Sequence, residues 1–198
     1  MKIVYTLISF ALLASCAGWR LESTDRVGEY PADVKVNEKI KIKINFQAYD
    51  VFYNDELKES SLSDTKKVEM MQAIKQAYLD TNIFLLDEKN PDVQANIKIK
   101  SEGKGDGNRA LLSYFTLFLV PSSSQTTYTV TTEFLDRDNE LLGSIRRSDT
   151  VVKWQQLFML FAMPFKYPYK AMRETLIDLN RSTLVEAFRE GYFREVKL

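Results

Sequence analysis

Residues 34–48 alternate between apolar and polar side chains. The apolar positions are Val34, Val36, Ile40, Ile42, Ile44, Phe46 and Ala48. A period of two predicts a β-strand with one buried face and one face in water. The intervening positions carry mainly lysine and asparagine. This lysine row is either a basic stripe for an anionic lipid or polymer, or a solvated face that discourages pairing at a sheet edge.

Two stretches carry apolar residues at steps of three and four, the spacing of an amphipathic helix. The first is capped by Ser63 or Asp64 and ends near Asn82. Its stripe is Val68, Met71, Ile74 and Tyr78, widened by Met70, Ala73 and Ala77. The stripe of the second stretch is Met172, Leu176, Leu179, Thr183, Val185, Phe188 and Tyr192. Each pattern predicts a helix with one face in the core.

Two short apolar segments, 111–120 and 157–167, flank a pair of strand-like runs. Residues 127–134 alternate, the polar residues 136–140 turn the chain, and residues 141–154 return. If these runs form a hairpin, its open end carries both apolar segments side by side. Neither segment reaches the length of about 20 residues that a membrane-spanning helix needs.

The two apolar segments have two possible roles. They are either ordinary core packed under the helices, or a shared aromatic patch that touches a lipid surface or a partner protein. The candidate residues of such a membrane or partner patch are Tyr114, Phe115, Phe118, Phe158, Phe161 and Phe165.

The remaining elements complete an α+β prediction. Residues 95–100 form a further strand, and the glycine-rich stretch 103–108 predicts a flexible connection, because it lacks the Gly-Lys-Ser/Thr ending of a phosphate-binding loop. The element order is β-α-β-β-β-α. A small, mostly antiparallel sheet with helices on one face buries the apolar side of every predicted strand and helix. We expect these elements to form a single domain over residues 34–198.

Composition excludes several function classes. Apolar residues make up 45% of the chain, which is enough for a core, and the formal net charge of +0 argues against nucleic-acid binding. The chain has no histidine, so it lacks the usual general base and the commonest metal ligand. The acidic turn 136–140 lacks the glycine and distal glutamate of a calcium loop. We therefore expect no catalytic residues, no metal and no cofactor.

The amino terminus carries the pattern of a secretory signal. Lys2 precedes an apolar run over residues 3–13, which ends in small residues before Cys16. The residues Leu13, Ala14, Ser15 and Cys16 resemble the lipobox of bacterial lipoproteins. This resemblance implies cleavage before Cys16 and acylation of the Cys16 thiol and the new amino terminus. The alternative is a plain secretory signal cut near Ala17.

This resemblance sets the expected organisation of the chain. Residues 1–15 are the signal peptide, residues 16–33 are the acylated Cys16 and a linker, and the domain follows. In lipoproteins of two-membrane bacteria an aspartate after the cysteine tends to mean retention in the inner membrane. Ala17 stands there instead, which implies a lipid-anchored protein of the outer membrane on its periplasmic side.

Three function classes remain. We expect a non-enzymatic lipoprotein, attached to the membrane through its acyl chains, that binds or supports an envelope assembly such as a secretion, surface-polymer or transport complex. Its expected partner is an envelope protein. The alternatives are a periplasmic carrier of a lipid or other apolar ligand and an enzyme that relies on Asp, Glu, Lys or Tyr alone.

Overall fold

The structure, a computed structural model, describes residues 16–21, 39–58, 64–156 and 168–193. Within these ranges the chain forms seven strands and three helices. The strands are β1 (Cys16–Leu21), β2 (Ile40–Tyr53), β3 (Glu56–Lys58), β4 (Phe84–Leu86), β5 (Val93–Gly105), β6 (Ser122–Leu135) and β7 (Leu141–Gln155). The helices are α1 (Asp64–Leu79), α2 (Gly107–Phe115) and α3 (Pro168–Glu190).

All seven strands belong to one sheet, in the order β1-β7-β6-β5-β2-β3. The short strand β4 also pairs with β2, at the end of β2 opposite to the end that pairs with β3. β5 and β4 run parallel to β2, and the other pairs are antiparallel. The parallel β2–β5 pair requires a crossover, which α1 provides.

The predicted α+β class with a mostly antiparallel sheet is confirmed. The predicted element order β-α-β-β-β-α differs in detail, because it lacks the short strands β1, β3 and β4 and the helix α2.

The core lies between one face of the sheet and the helices α1 and α3. In β6 the side chains of Tyr128, Val130, Thr132 and Phe134 are buried, as their alternation predicts. The matching positions of β2 and β5 join them, and α1 and α3 cover the same face. The opposite face of the sheet is mainly polar, so each strand has the buried and wet faces that a period of two requires.

A β-bulge changes the phase of β2. Phe46 lies opposite Ile97 and Tyr49 lies opposite Ile99, so the partner strand advances two residues while β2 advances three. The apolar positions of β2 therefore move from even to odd numbers after Phe46, and Ala48 lies opposite Lys98 instead of extending the apolar row. The sequence predicts an unbroken alternation through Ala48. The bulge ends it because one extra residue exchanges the two faces of a strand.

The buried stripe of α1 agrees with the predicted one except at its start. Met70, Ile74 and Tyr78 are buried in the main core, whereas Val68 is exposed. Ala73 and Ala77, which widen the predicted stripe, are also buried, in contact with Ile177 of α3. One face of α1 therefore packs against both the core of the sheet and α3.

Strand β1 occupies residues that the sequence analysis assigned to the linker. Its backbone pairs with β7, with Cys16 opposite Gln155 and Arg20 opposite Val151. Arg20 gave no apolar signal, yet its guanidinium is largely buried in an ion pair with Asp149. A charged residue at an inward position conceals the period of two, which is why the strand was not predicted. The rest of the predicted linker, 22–33, and the signal peptide, 1–15, lie outside the described residues.

Candidate functional site

One end of the sheet brings Cys16 next to the ends of two other strands. Cys16 is paired with Gln155, and Gln155 is paired on its other side with Ser122. The Ser122 hydroxyl also donates to Oε1 of Gln155 at 3.3 Å. Two strand spacings place Cys16 and Ser122 about 10 Å apart. The predicted hairpin over β6 and β7 is confirmed, and its open end is the end that carries Cys16.

Helix α2 lies between β5 and β6 at this same end. Gly105 completes β5 opposite Ser124, and Asp106 then caps the helix. The Asp106 carboxylate accepts from the backbone N–H of Asn108 at 3.0 Å and from that of Arg109 at 3.2 Å. A capping carboxylate satisfies N–H groups that a helix start leaves unpaired. The stretch 103–108 is therefore a strand end and a helix cap, which corrects the predicted flexible connection.

The apolar side chains of α2 are exposed. Phe115 is 78% exposed and Tyr114 is 66% exposed, and Leu111 and Leu112 are also more than half exposed. Ser113 is the buried residue of the helix. Since successive helical residues turn by about 100°, Phe115 lies on the side of α2 opposite Ser113. The core interpretation therefore does not hold for α2.

The turn after α2 exposes the side chains of Leu117 and Leu119. Leu117 and Phe118 both have left-handed backbone conformations, with φ of 51° and 62°. For a residue with a side chain this conformation costs about 1 kcal/mol or more. Phe118 N–H donates to the Ser113 carbonyl at 2.7 Å, which closes the turn. Phe118 is half-buried, whereas Leu117 and Leu119 are exposed.

We call the exposed apolar residues of α2 and of the turn after it the α2 patch. Its members are Leu111, Leu112, Tyr114, Phe115, Leu117 and Leu119. The rings of Tyr114 and Phe115 meet edge to face, with centroids 6.0 Å apart. Of the predicted patch residues, the structure therefore brings Tyr114 and Phe115 to the surface beside the end of the sheet.

Phe158, Phe161 and Phe165, the remaining residues of the predicted patch, lie outside the described residues.

Two surface depressions lie among the described residues. Asn54 ties the β2–β3 turn to β5, because its Oδ1 accepts from the Gly105 N–H at 3.2 Å. A depression of about 430 Å³ lies beside it, between Asn54, Lys104, Asp106 and Gln125. A second depression, of about 520 Å³, is lined by Lys41, Lys43, Lys89 and Arg137. The charged walls of the second depression do not suit an apolar ligand.

Burial and hydrogen bonding shift the pKa of several described groups. Burial raises the pKa of the Tyr128 hydroxyl, which keeps it protonated. Burial acts to raise the pKa of Asp92, but hydrogen bonds from Arg137 and from the Lys41 N–H outweigh it and lower that pKa. Among the residues that the structure describes, no three potential metal ligands cluster together.

Across the described ranges, every helix is too short or too polar to cross a bilayer.

Comparisons with known proteins give no family. No family model matches the chain, and no curated protein matches it. Among solved structures, a minor lipoprotein from Acinetobacter baumannii is similar with a TM-score of 0.43 and 11% identity, over 76% of this chain and 90% of that chain. A PelC dodecamer from Paraburkholderia phytofirmans is similar with a TM-score of 0.37 and 8% identity, over 84% of this chain and 96% of that chain. Similarities this low carry no argument about function.

Proposed function

We propose that this protein is an envelope lipoprotein, anchored by acyl chains on Cys16, whose domain binds or supports an envelope assembly without catalysing a reaction. The observation that carries the proposal is the position of the lipobox-like cysteine. Cys16 begins β1 at the end of the sheet that also bears the exposed α2 patch. Acyl chains attached there and apolar side chains exposed nearby suit the same membrane surface.

The polar face of the sheet is the surface that we propose for a protein partner. α1 and α3 cover the other face. Lys98, Arg146 and Ser148 are exposed on the polar face. Partners that associate through exposed polar faces gain specificity and association rate from charge complementarity. This arrangement supports a binding role, and the absence of histidine argues in the same direction against acid–base chemistry.

Acylation is tested by metabolic labelling with palmitate, followed by mass spectrometry of the mature amino terminus. We expect the label on the parent protein and a mature chain that starts at Cys16. Cys16→Ser removes the label, whereas Ser15→Ala keeps it, because that substitution retains a small residue before the cysteine. A mature amino terminus at any other residue contradicts the lipoprotein proposal.

The membrane of residence is tested at Ala17. By the lipobox resemblance, Ala17→Asp shifts the protein from the outer to the inner membrane, and the control Ala17→Ser leaves it in the outer membrane. Separation of the two membranes on a density gradient measures the distribution. An unchanged distribution for Ala17→Asp speaks against sorting by this position.

The partner-binding face is tested by site-specific photo-crosslinking in intact cells. A crosslinking amino acid at Arg146 probes the polar face of the sheet, and one at Arg173 of α3 is the matched exposed control. We expect one adduct of defined mass from position 146 and none from position 173. Equal adduct patterns at both positions contradict a partner-binding polar face.

A further inference from the structure

We propose that the α2 patch docks into the lipid surface beside Cys16, so that the domain stands on the membrane with the open end of the β6–β7 hairpin facing it. This inference rests on the proposed acylation of Cys16. It adds a second membrane contact and defines the orientation of the domain relative to the bilayer.

No spacer separates Cys16, the proposed acylation position, from the sheet. Cys16 is itself the first residue of β1 and is paired with Gln155. An acylated cysteine lies at the level of the lipid headgroups, because its acyl chains enter the hydrocarbon region. The end of the sheet must therefore lie at that level too.

Helix α2 connects two strand ends at the same end of the sheet as Cys16. Ser122, which starts the strand after α2, lies two strands away from Cys16, about 10 Å at the usual strand spacing. Gly105, at the end of the strand before α2, is paired with Ser124 of that same strand. Interfacial helices bury their apolar faces to a depth of about 5–10 Å. A helix held between these two strand ends therefore lies at the end of the sheet that acyl chains on Cys16 would bring to the membrane surface.

The chemistry of the α2 patch suits a lipid surface. Leucine and phenylalanine side chains suit the acyl boundary, and Tyr114 suits the headgroup level, where its ring and hydroxyl meet different surroundings. Arg109 is exposed on the same helix and is a cation for lipid phosphates. Six apolar side chains within nine consecutive residues, each more than half exposed, form the kind of surface that marks a contact site.

Lipid is favoured over a protein as the occupant because of this continuity with the acylation position. A protein partner or a second copy would have to fit between α2 and a bilayer that the acyl chains hold at the same end. The bilayer is already there and covers the patch without any further component.

The test uses the acylated full-length protein with a second cysteine for an environment-sensitive fluorophore. Phe115→Cys places the fluorophore in the α2 patch. Asp138→Cys is the control, in the β6–β7 turn at the far end of the sheet, about 45 Å away by strand length. The fluorophore reacts only with the introduced cysteine, because the acylated Cys16 thiol cannot react with it. The intact mass verifies that Cys16 is acylated and that each chain carries one fluorophore. The vesicles contain phosphatidylethanolamine and phosphatidylglycerol.

We expect the fluorophore at position 115 to shift to shorter wavelength with a severalfold rise in emission on vesicles, and to be quenched by spin labels on the lipid. The fluorophore at position 138 should not respond. Equal responses at both positions overturn the docking. A shift at 115 that appears only in native envelope membranes indicates a protein occupant and also overturns it.

Two further arms separate this inference from the proposed function. If the mass shows a free Cys16 thiol, the proposed acylation fails, and the docking inference fails with it. If Cys16 is acylated and the protein floats with vesicles while position 115 stays in water, only the docking inference fails. A concentration-dependent shift at 115 in Cys16→Ser protein without lipid identifies a second copy as the occupant and overturns it as well.

Discussion

The Arg20 guanidinium forms a buried ion pair with Asp149. Arg20 Nε lies 2.9 Å and Nη2 lies 2.6 Å from the same carboxylate oxygen of Asp149. The guanidinium also donates to Asp178 of α3. Arg20 thus joins β1, β7 and α3, and it holds the strand that begins at Cys16 against the domain. The attachment of β1 to the domain therefore depends on this one side chain as well as on the backbone ladder.

Removal of the arginine should destabilise the protein. Arg20→Ala leaves the Asp149 carboxylate, which is almost fully buried, without its guanidinium partner. Breaking a buried pair from one side costs about 3 kcal/mol. We expect a lower urea midpoint at an unchanged slope. Lys170→Ala, which removes an exposed pair with Glu174, is the control and should change stability by less than about 0.5 kcal/mol. Equal effects of the two substitutions contradict the role of Arg20.

Asp92 should make stability depend on acid pH. Its pKa lies below the ordinary value because hydrogen bonds from Arg137 and Lys41 outweigh the effect of burial. The stabilisation is therefore fully present above the unfolded pKa of about 3.9 and is lost as the pH falls through the lower folded pKa. Asp92→Asn should cost about 1–3 kcal/mol at neutral pH, and the difference from the parent should shrink at pH near the folded pKa. Urea unfolding across this pH range measures both. A difference that is independent of pH contradicts the assignment.

The Tyr192 ring packs directly over Gly143. A Cβ added at Gly143 would overlap the ring, which also contacts Phe134 at a centroid distance of 6.2 Å. Gly143→Ala should therefore cost about 1–3 kcal/mol through overpacking. The control is Gly107→Ala at the start of α2, where an added Cβ meets nothing within 4 Å. Thermal unfolding compares them, and a neutral Gly143→Ala would show that Tyr192 does not pack there.

Thr132 offers a stabilising substitution. Its side chain is fully buried opposite Ile145, and within the described part of the chain its hydroxyl has no hydrogen-bond partner. Thr132→Val keeps the shape and removes the uncompensated hydroxyl, so we expect a gain of about 1 kcal/mol. Thr127→Val in the same strand is the control, because the Thr127 hydroxyl lies 2.9 Å from that of Thr150 and loses this bond. A destabilised Thr132→Val would mean that the hydroxyl has a partner after all.

The periodic elements could be predicted because their pattern expresses a local geometry. The alternation of Tyr128, Val130, Thr132 and Phe134 predicts the buried face of β6, and the polar residues after it predict the turn to β7. In that turn Asp136 accepts from the backbone N–H groups of Asp138 and Glu140. Neighbouring residues alone form such a turn, so the sequence contains the information for it.

The misplaced elements depend on partners distant in the chain. The charge of Arg20 makes the sequence of β1 resemble a linker. Its burial depends on an ion pair with Asp149, 129 positions later in the chain. The bulge after Phe46 is determined by pairing with Ile97 and Ile99 of β5. None of these partners lies within the range of a local pattern.

The same division holds for the candidate site. The sequence by itself determined the α+β class, the alternating faces of the long strands and the hairpin of β6 and β7, because these follow from periodicity and turn chemistry. Only the tertiary structure decided that Cys16 begins a paired strand and that Tyr114 and Phe115 lie in water. The sequence of an apolar run does not show whether the run is buried or exposed. Its burial depends on which other elements pack against it.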